Sequence, residues 1–568
     1  MEAFLSEWRV RLKPRRIEGT RTPRDSKPLI GVGIIAALAL LPIATVLLIA
    51  LFGTTDTAQW AHLTTVVLPN ALGTTLFLLM LVGLGTVVVG VGTAWLIATF
   101  EFPGRRLFAW MLILPIAVPP YLAAYAFAEF LAYTGPVQGA LRAFFGWQSA
   151  RDYWFPDIRS TAGAALVMAA VLYPYLYLAT RVVFLMQGRN IADVARTLGA
   201  GAGTVFGRVL LPTARPAIVA GLALVMMETL NDIGAVEHLG VRTLTFAIYD
   251  TWLSRGSLSG AAQLAVVMMI IVFSLVLAEN WARRRQSFHG TRATQMMSRP
   301  ARQNLSNGRA LAATCLCAIP ILLGFGIPVG VLGRYAIHRS EQFFTPGMQE
   351  AITHSALLGS SVALVTVVLA FAMLAASRLE RSNILAGLSR LATLGYAMPG
   401  TILGLGLLFA LTSFDNALDR FLRTHLDIST GLLLSGSAIA VGYVCTARFL
   451  ALADANLRSG MQKLPPDIDN AARSLGAGAG RSLFRVLLPL LKPALGTAFI
   501  LVFVDTVKEL SATILLRPFG FNTLATYVYE NASRGAVEEG AAAALLILVL
   551  AMIPVLMLSY ALGRDRPV

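Results

Sequence analysis

The chain has 568 residues, of which 56% are hydrophobic and only 13% charged, with 46 Lys and Arg against 30 Asp and Glu and a formal charge of +16. A mean hydropathy of +0.69 excludes a soluble globular enzyme and a disordered chain alike. The basic residues lie mostly in loops between apolar runs, so the positive charge reports membrane orientation and not a nucleic-acid partner.

Residues 1–28 run from Arg9 to Lys27 with repeated basic positions and read as a cytoplasmic N-terminus. The apolar run 29–52 is too long for the hydrophobic core of a cleaved signal and is predicted as the first retained span. A polar connection over 53–69 precedes a second span near 70–99. The third, about 107–133, holds Pro115, Pro119 and Pro120 and is predicted to be broken, because proline removes helix hydrogen bonds at membrane depth. An aromatic-rich outer loop over 134–161, with Trp147, Tyr153 and Trp154, leads to spans near 162–184, 217–236 and 261–282. Residues 286–309 read as a polar linker between a first half, 29–285, and a second half, 310–568.

The second half is predicted to repeat the scheme with spans near 310–333, 353–376, 390–412, 432–452, 494–515 and 540–562. Gly395–Gly400 stands where the Pro-rich break stood. About ten extra residues, around Asn456–Pro466, are expected before its inner loop. Twelve spans place most of the Lys and Arg on one side and both termini in the cytoplasm.

The repeat is clearest in two polar, Gly-rich segments. Residues 193–216 read DVARTLGAGAGTVFGRVLLPTARP, and residues 470–493 read NAARSLGAGAGRSLFRVLLPLLKP. The register continues into Glu228 and Asp232, which fall on Asp505 and Glu509. Two homologous halves fused in one chain account for this. Gly199 and Gly476 suit a turn closing a short helix, and Asp467 is placed to cap the second copy. Pro212/Pro216 and Pro489/Pro493 fit the start of a new helix re-entering the bilayer.

These segments resemble the EAA loop of ABC importer permeases in Asp193, Ala195, Gly199 and Pro212, and in Asn470, Ala472, Gly476 and Pro489. The leading Glu of that pattern is replaced by Asp193 in one copy and Asn470 in the other. The phrases AVPPYLAAYAF, METLNDIGAVEHLGVRTLTFAIYDTW, GYAMPGTILGLGL and VKELSATILLRPFGFNTLATYVYE resemble the fused ferric-iron type within this family, whose relatives include thiamine and phosphonate permeases. The resemblance implies an all-α type I importer fold of two six-helix halves in the inner membrane. It also implies docking of an ABC ATPase homodimer on the two loops and a periplasmic binding protein that delivers Fe³⁺.

The chain carries no energy source of its own. Its five lysines, at 13, 27, 463, 492 and 508, never follow a glycine, so no P-loop is present. ATP and Mg²⁺ are therefore expected in the partner ATPase, and no catalytic or metal site is expected here. Cys315, Cys317 and Cys445 lie in apolar spans with no second ligand cluster and read as small buried residues. Glu228 lies about 18 Å along an α-helix from Pro216, near mid-bilayer, with Asp232 one turn on. A carboxylate there costs roughly 2.5–3.5 kcal/mol on insertion scales, so Glu228, Asp232, Asp505 and Glu509 either line the transport path or lock the bundle. Arg181 and Arg448 read as anchors snorkelling at the inner ends of their spans. An ion-driven carrier is the alternative of a different class, but it has no use for the two Gly-rich loops.

Overall fold

In lipid, backbone amides find no partner except one another, so long apolar runs must become helices. The computed structural model describes residues 27–54, 56–186, 198–284, 302–379, 382–465 and 467–564. Among these, 11 helices are long and apolar enough to cross a membrane, and one bent pair brings the number to 12.

The first half comprises α1 (Lys27–Phe52), α2 (Thr57–Thr99), the pair α3 (Arg105–Met111) and α4 (Pro120–Phe130), α5 (Pro136–Phe145) and α6 (Thr161–Met186). It continues with α7 (Ala202–Asn231), two short helices α8 (Ile233–His238) and α9 (Leu244–Leu253), and α10 (Leu258–Arg284). The second half comprises α11 (Asn307–His338), α12 (Pro346–Leu379), α13 (Asn383–Ala392), α14 (Gly400–Leu426) and α15 (Ala438–Gln462). It ends with α16 (Ile468–Ser474), α17 (Gly480–Val507), α18 (Thr513–Leu516), α19 (Leu524–Ser533) and α20 (Val537–Arg564). A two-residue parallel pair, β1 (Phe100–Glu101) with β2 (Gln303–Asn304), ties the end of the linker to the first half.

The prolines break the third span as expected: a short 3-10 turn over Leu114–Ala117 intervenes, and the two segments bend by 96°. The equivalent break in the second half is a 3-10 turn at Leu394–Ala397 followed by Pro399.

Several boundaries differ from the sequence expectations. The polar connection at 53–69 is largely helix, because α2 starts at Thr57. The outer loop at 134–161 contains α5. The ten extra residues around Asn456–Pro466 are not an insertion: α15 runs to Gln462, so most of them are helix and the two halves keep one register through this region. Polar side chains on the inner turns of α15 disguised the end of the span.

Proline placement also differs. Pro212 and Pro489 do not open their helices, since α7 and α17 begin earlier and run through them. A π-helical turn immediately precedes each, over Phe206–Leu210 and Leu483–Leu487. The same device stands before Pro69, at Leu63–Val67, and before Pro328, at Leu322–Gly326. Proline leaves the carbonyl four residues back without its donor, and a wider turn lets the next N–H reach it.

Each half sends its first helix across the other. Helix α1 packs on α13 and α14, and α11 packs on α4. The approach is close: a Cβ at Gly406 of α14 would fall on the Pro42 carbonyl oxygen of α1, and one at Gly324 of α11 on the Ala170 carbonyl oxygen of α6. Tyr443 of α15 also donates to the Leu38 carbonyl of α1 at 2.7 Å. Glycine at these positions is therefore a packing requirement. Outward faces of the spans expose large apolar residues, such as Leu48 and Leu51 of α1 and Leu84 and Val88 of α2, as lipid contact demands. Cys317 and Cys445 are buried, but Cys315 is exposed on such a face, beside Leu311 and Leu316.

Candidate functional site: a charged cavity between the halves

Helices α7 and α17 both stop well inside the bundle. Helix α7 ends at Asn231, where Asp232 turns to extended backbone (φ −83°, ψ 102°) and its side chain accepts from the Ala235 N–H at 2.7 Å. Asp232 is thus the cap of α8, not a residue one turn further along α7. Helix α17 ends at Val507, and Glu509 accepts from the Ala512 N–H at 3.0 Å in the same way. At equivalent repeat positions each acid accepts the N–H three residues on; Asp232 is the N-cap of α8, whereas Glu509 closes a turn ahead of α18, whose own N-cap is Ala512.

The halves meet at this break. Ser511 Oγ donates to the Asn231 carbonyl at 2.6 Å, and the Gly400 N–H donates to Asn231 Oδ1 at 2.8 Å. Tyr529 donates to Glu237 at 2.7 Å, and Tyr335 to Glu129 at 3.1 Å, so hydroxyl–carboxylate bonds pin the outer parts of the interface.

Between the two breaks lies a cavity of about 110 Å³. The broken third span supplies Pro119, Pro120 and Tyr121, α6 supplies Val171 and Tyr175, and Tyr396 enters from the second half's break. All four carboxylates singled out in the sequence, Glu228, Asp232, Asp505 and Glu509, line it, together with Arg448 and Lys508. Two of the four are also engaged in ion pairs within the second half. Glu509 is held by Arg448 at 2.7 Å, with both side chains 6% exposed, and Asp505 by Lys508 at 2.7 Å. Glu228 is less engaged: the Tyr396 hydroxyl lies at 3.5 Å, the limit of a hydrogen bond.

Arg448 is not a snorkelling anchor. It stands near the middle of α15 and is buried at 5% exposure, and its Nε has no hydrogen-bond partner. Its apolar stretch hid it, since an Arg inside a span looks like a span end when its partner Glu509 is distant in sequence. Arg181 does lie toward the end of α6, where it donates to the Ala109 carbonyl at 3.1 Å. Among the described residues no group of three or more His, Cys, Asp or Glu is placed to hold a metal ion.

The Gly-rich loops are described in part. Asp193 and Ala195 lie outside the described residues, and Gly199 stands at φ +84°. In the second copy, Asn470 and Ala472 fall in α16, and Gly476 follows it at φ +78° with the Ala477 N–H donating to the Ala472 carbonyl at 2.9 Å. That is the glycine-closed helix end expected from the repeat. Pro212 and Pro489 lie beyond the loops, within α7 and α17.

Comparison with known proteins agrees with this architecture. A family model described as "Binding-protein-dependent transport system inner membrane component" matches the chain twice, over residues 86–287 and 369–565. The Fe(3+)-transport system permease protein FbpB 2 of Haemophilus influenzae is 25% identical over 491 residues, covering 86% of this chain and 89% of that protein. The molybdenum transport system permease protein ModB of Escherichia coli is 29% identical over 34% of this chain and 84% of its own length. The sulfate transport system permease protein CysW of the same species is 30% identical over 33% of this chain and 64% of its own length. The chain belongs to the family of binding-protein-dependent transport system inner membrane components, with two copies of its domain, and is a multi-pass ABC permease subunit of an import system.

Proposed function

From that membership we propose that the cargo is iron(III), delivered by a periplasmic binding protein and driven by an ABC ATPase docked on residues 193–216 and 470–493. The observation that carries the cargo assignment is the extent of the likeness: the Haemophilus Fe(3+) permease aligns across both halves, whereas ModB and CysW align with about a third of the chain. The cavity supports it, since four carboxylates supply the oxygen ligands that a hard cation prefers. Passage through such a cavity calls for transient contacts, because a tight site would trap the ion.

A second reading has its own support. Arg448 and Lys508 in the same cavity suit an oxyanion, and ModB and CysW are named for molybdenum and sulfate transport. Uptake of radiolabelled iron(III), molybdate, sulfate and thiamine decides between the cargoes, in cells lacking their own systems and supplied with the permease, its ATPase and its binding protein. Iron accumulation alone is the expected result; oxyanion or thiamine accumulation without iron overturns the assignment. Reporter fusions at Arg285 and Arg564 are expected to read as cytoplasmic, and fusions at Ala150 and Glu538 as external.

A further inference from the structure

The repeat places acids symmetrically around the cavity but bases on one side only. Lys508 occupies the position equivalent to Asn231, and Arg448 the position equivalent to Val171, counting each pair from the helix-capping Ser160 and Ser437. The wall built by the second half therefore holds two acids and two bases, each acid bonded to one base. The wall built by the first half holds Glu228 and Asp232 and no base. A buried acid in contact with a cation exerts little pull on a passing ion, whereas one that feels the bases only across the cavity, as Glu228 does, keeps more of its own.

A second observation marks the same wall. Tyr121 is 3% exposed and lines the cavity, yet its hydroxyl has no hydrogen-bond partner. Buried hydroxyls are nearly always bonded, so an orphan on a cavity wall is a donor or acceptor kept for something that enters. Glu228 is in no ion pair among the described residues; it has the Tyr396 hydroxyl at 3.5 Å and feels Arg448 and Lys508 across the cavity.

Resting on the iron reading above, we propose that the cation is met by the first-half wall alone, by Glu228 with the Tyr121 hydroxyl and Asp232, while Asp505 and Glu509 serve as the fixed, neutralised frame opposite. Asp232 can serve both as cap and as contact, because a carboxylate has lone pairs to spare after accepting from the Ala235 N–H. The site is weak by construction. Its oxygens come from three separate elements, α4, α7 and the cap of α8, and no third carboxylate of the same wall closes it.

The test uses the permease assembled with its ATPase and binding protein, and reads iron(III) uptake and binding-protein-stimulated ATP hydrolysis, both per amount of folded complex. Glu228→Gln is expected to lower uptake at least about tenfold, the loss of one charge-assisted contact, while ATP hydrolysis persists. Glu228→Asp should recover part of the uptake. Asp232→Asn, which keeps the cap acceptor, should lower uptake without lowering the yield of folded protein, and Tyr121→Phe should do so more mildly. Asp505→Asn and Lys508→Gln should change uptake and hydrolysis together. Equal loss of both activities in Glu228→Gln, or a larger uptake defect in Lys508→Gln than in Glu228→Gln, overturns the proposal. Wild-type permease that accumulates an oxyanion and no iron overturns the iron reading itself, and this is seen before any variant is made.

Discussion

Helix α7 with its break at Asp232, and helix α17 with its break at Glu509, are two copies of one device that have come to differ at their neighbours. Both acids accept the backbone N–H three residues on, Asp232 as the N-cap of α8 and Glu509 in the turn ahead of α18. In the second copy Arg448 binds Glu509, and Lys508 binds Asp505, the acid one turn earlier. In the first copy those neighbours are Val171 and Asn231, and Asn231 spends its side chain and carbonyl on the other half. The carboxylate that accepts an N–H three residues on is thus the shared, structural part of the repeat. Charge is the divergent part, and it gives the cavity two unlike walls.

Four experiments break or sharpen this comparison. The largest effect is expected in the loops, where the copies are most alike: Gly199→Arg or Gly476→Arg should abolish uptake while the protein stays in the membrane. Both glycines have positive φ, so an L side chain costs roughly 1–2 kcal/mol there in addition to obstructing the proposed docking surface. Uptake at wild-type levels in both variants would remove the loops from the coupling path. Gly199→Asn and Gly476→Asn, which tolerate that backbone, should retain more activity than the Arg variants.

Next comes the ion pair of the second copy. Arg448→Leu leaves Glu509 buried and uncompensated and should destabilise the folded permease by about 3–5 kcal/mol, whereas Arg448→Leu with Glu509→Gln should recover much of it. Thermal unfolding in detergent, followed by the monodisperse fraction, measures both. Val171→Ala, the matching position of the first copy, should cost far less, and a comparable loss there would make the asymmetry irrelevant to stability.

The crossed first helices make a third contrast. Gly406→Ala and Gly324→Ala each drive a methyl group against a carbonyl oxygen and should cost about 1–3 kcal/mol by overpacking. Similar losses at both sites would show that the two crossings share the load, and a loss at only one would show that they do not. The smallest effect is the cap alone: Asp232→Ala should cost about 0.5–2 kcal/mol. Glu509→Ala should cost more, because it also strands Arg448. Equal costs would mean that the ion pair adds nothing to the cap.

Much of this was legible along the chain. Apolar length alone marked the crossings, 11 helices or 12 with the bent pair, and the Gly-rich frame marked the duplication, since a polar segment repeated in constant register has no other source. Pro115, Pro119 and Pro120 announced the broken third span, because a missing N–H is a local fact. Glu228, Asp232, Asp505 and Glu509 stood out because charge inside an apolar run is costly wherever the run packs. Helix ends were less legible. Asp232 and Glu509 continued a helical pattern by type, and only the capping bonds to Ala235 and Ala512 show that the helices have already stopped.

What the residues do to one another was decided by tertiary structure. Arg448 and Glu509 are far apart in sequence, so no local pattern joins them, and the same Arg beside lipid would have been an anchor. The crossing of α1 and α11 onto opposite halves is likewise invisible in a hydropathy profile, which records that a segment is apolar and not what it touches. Composition and periodicity set the energy of each segment in the membrane. Which acids are paired with a base, and which face the cavity without one in contact, depends on through-space Coulomb contacts that only the folded chain creates.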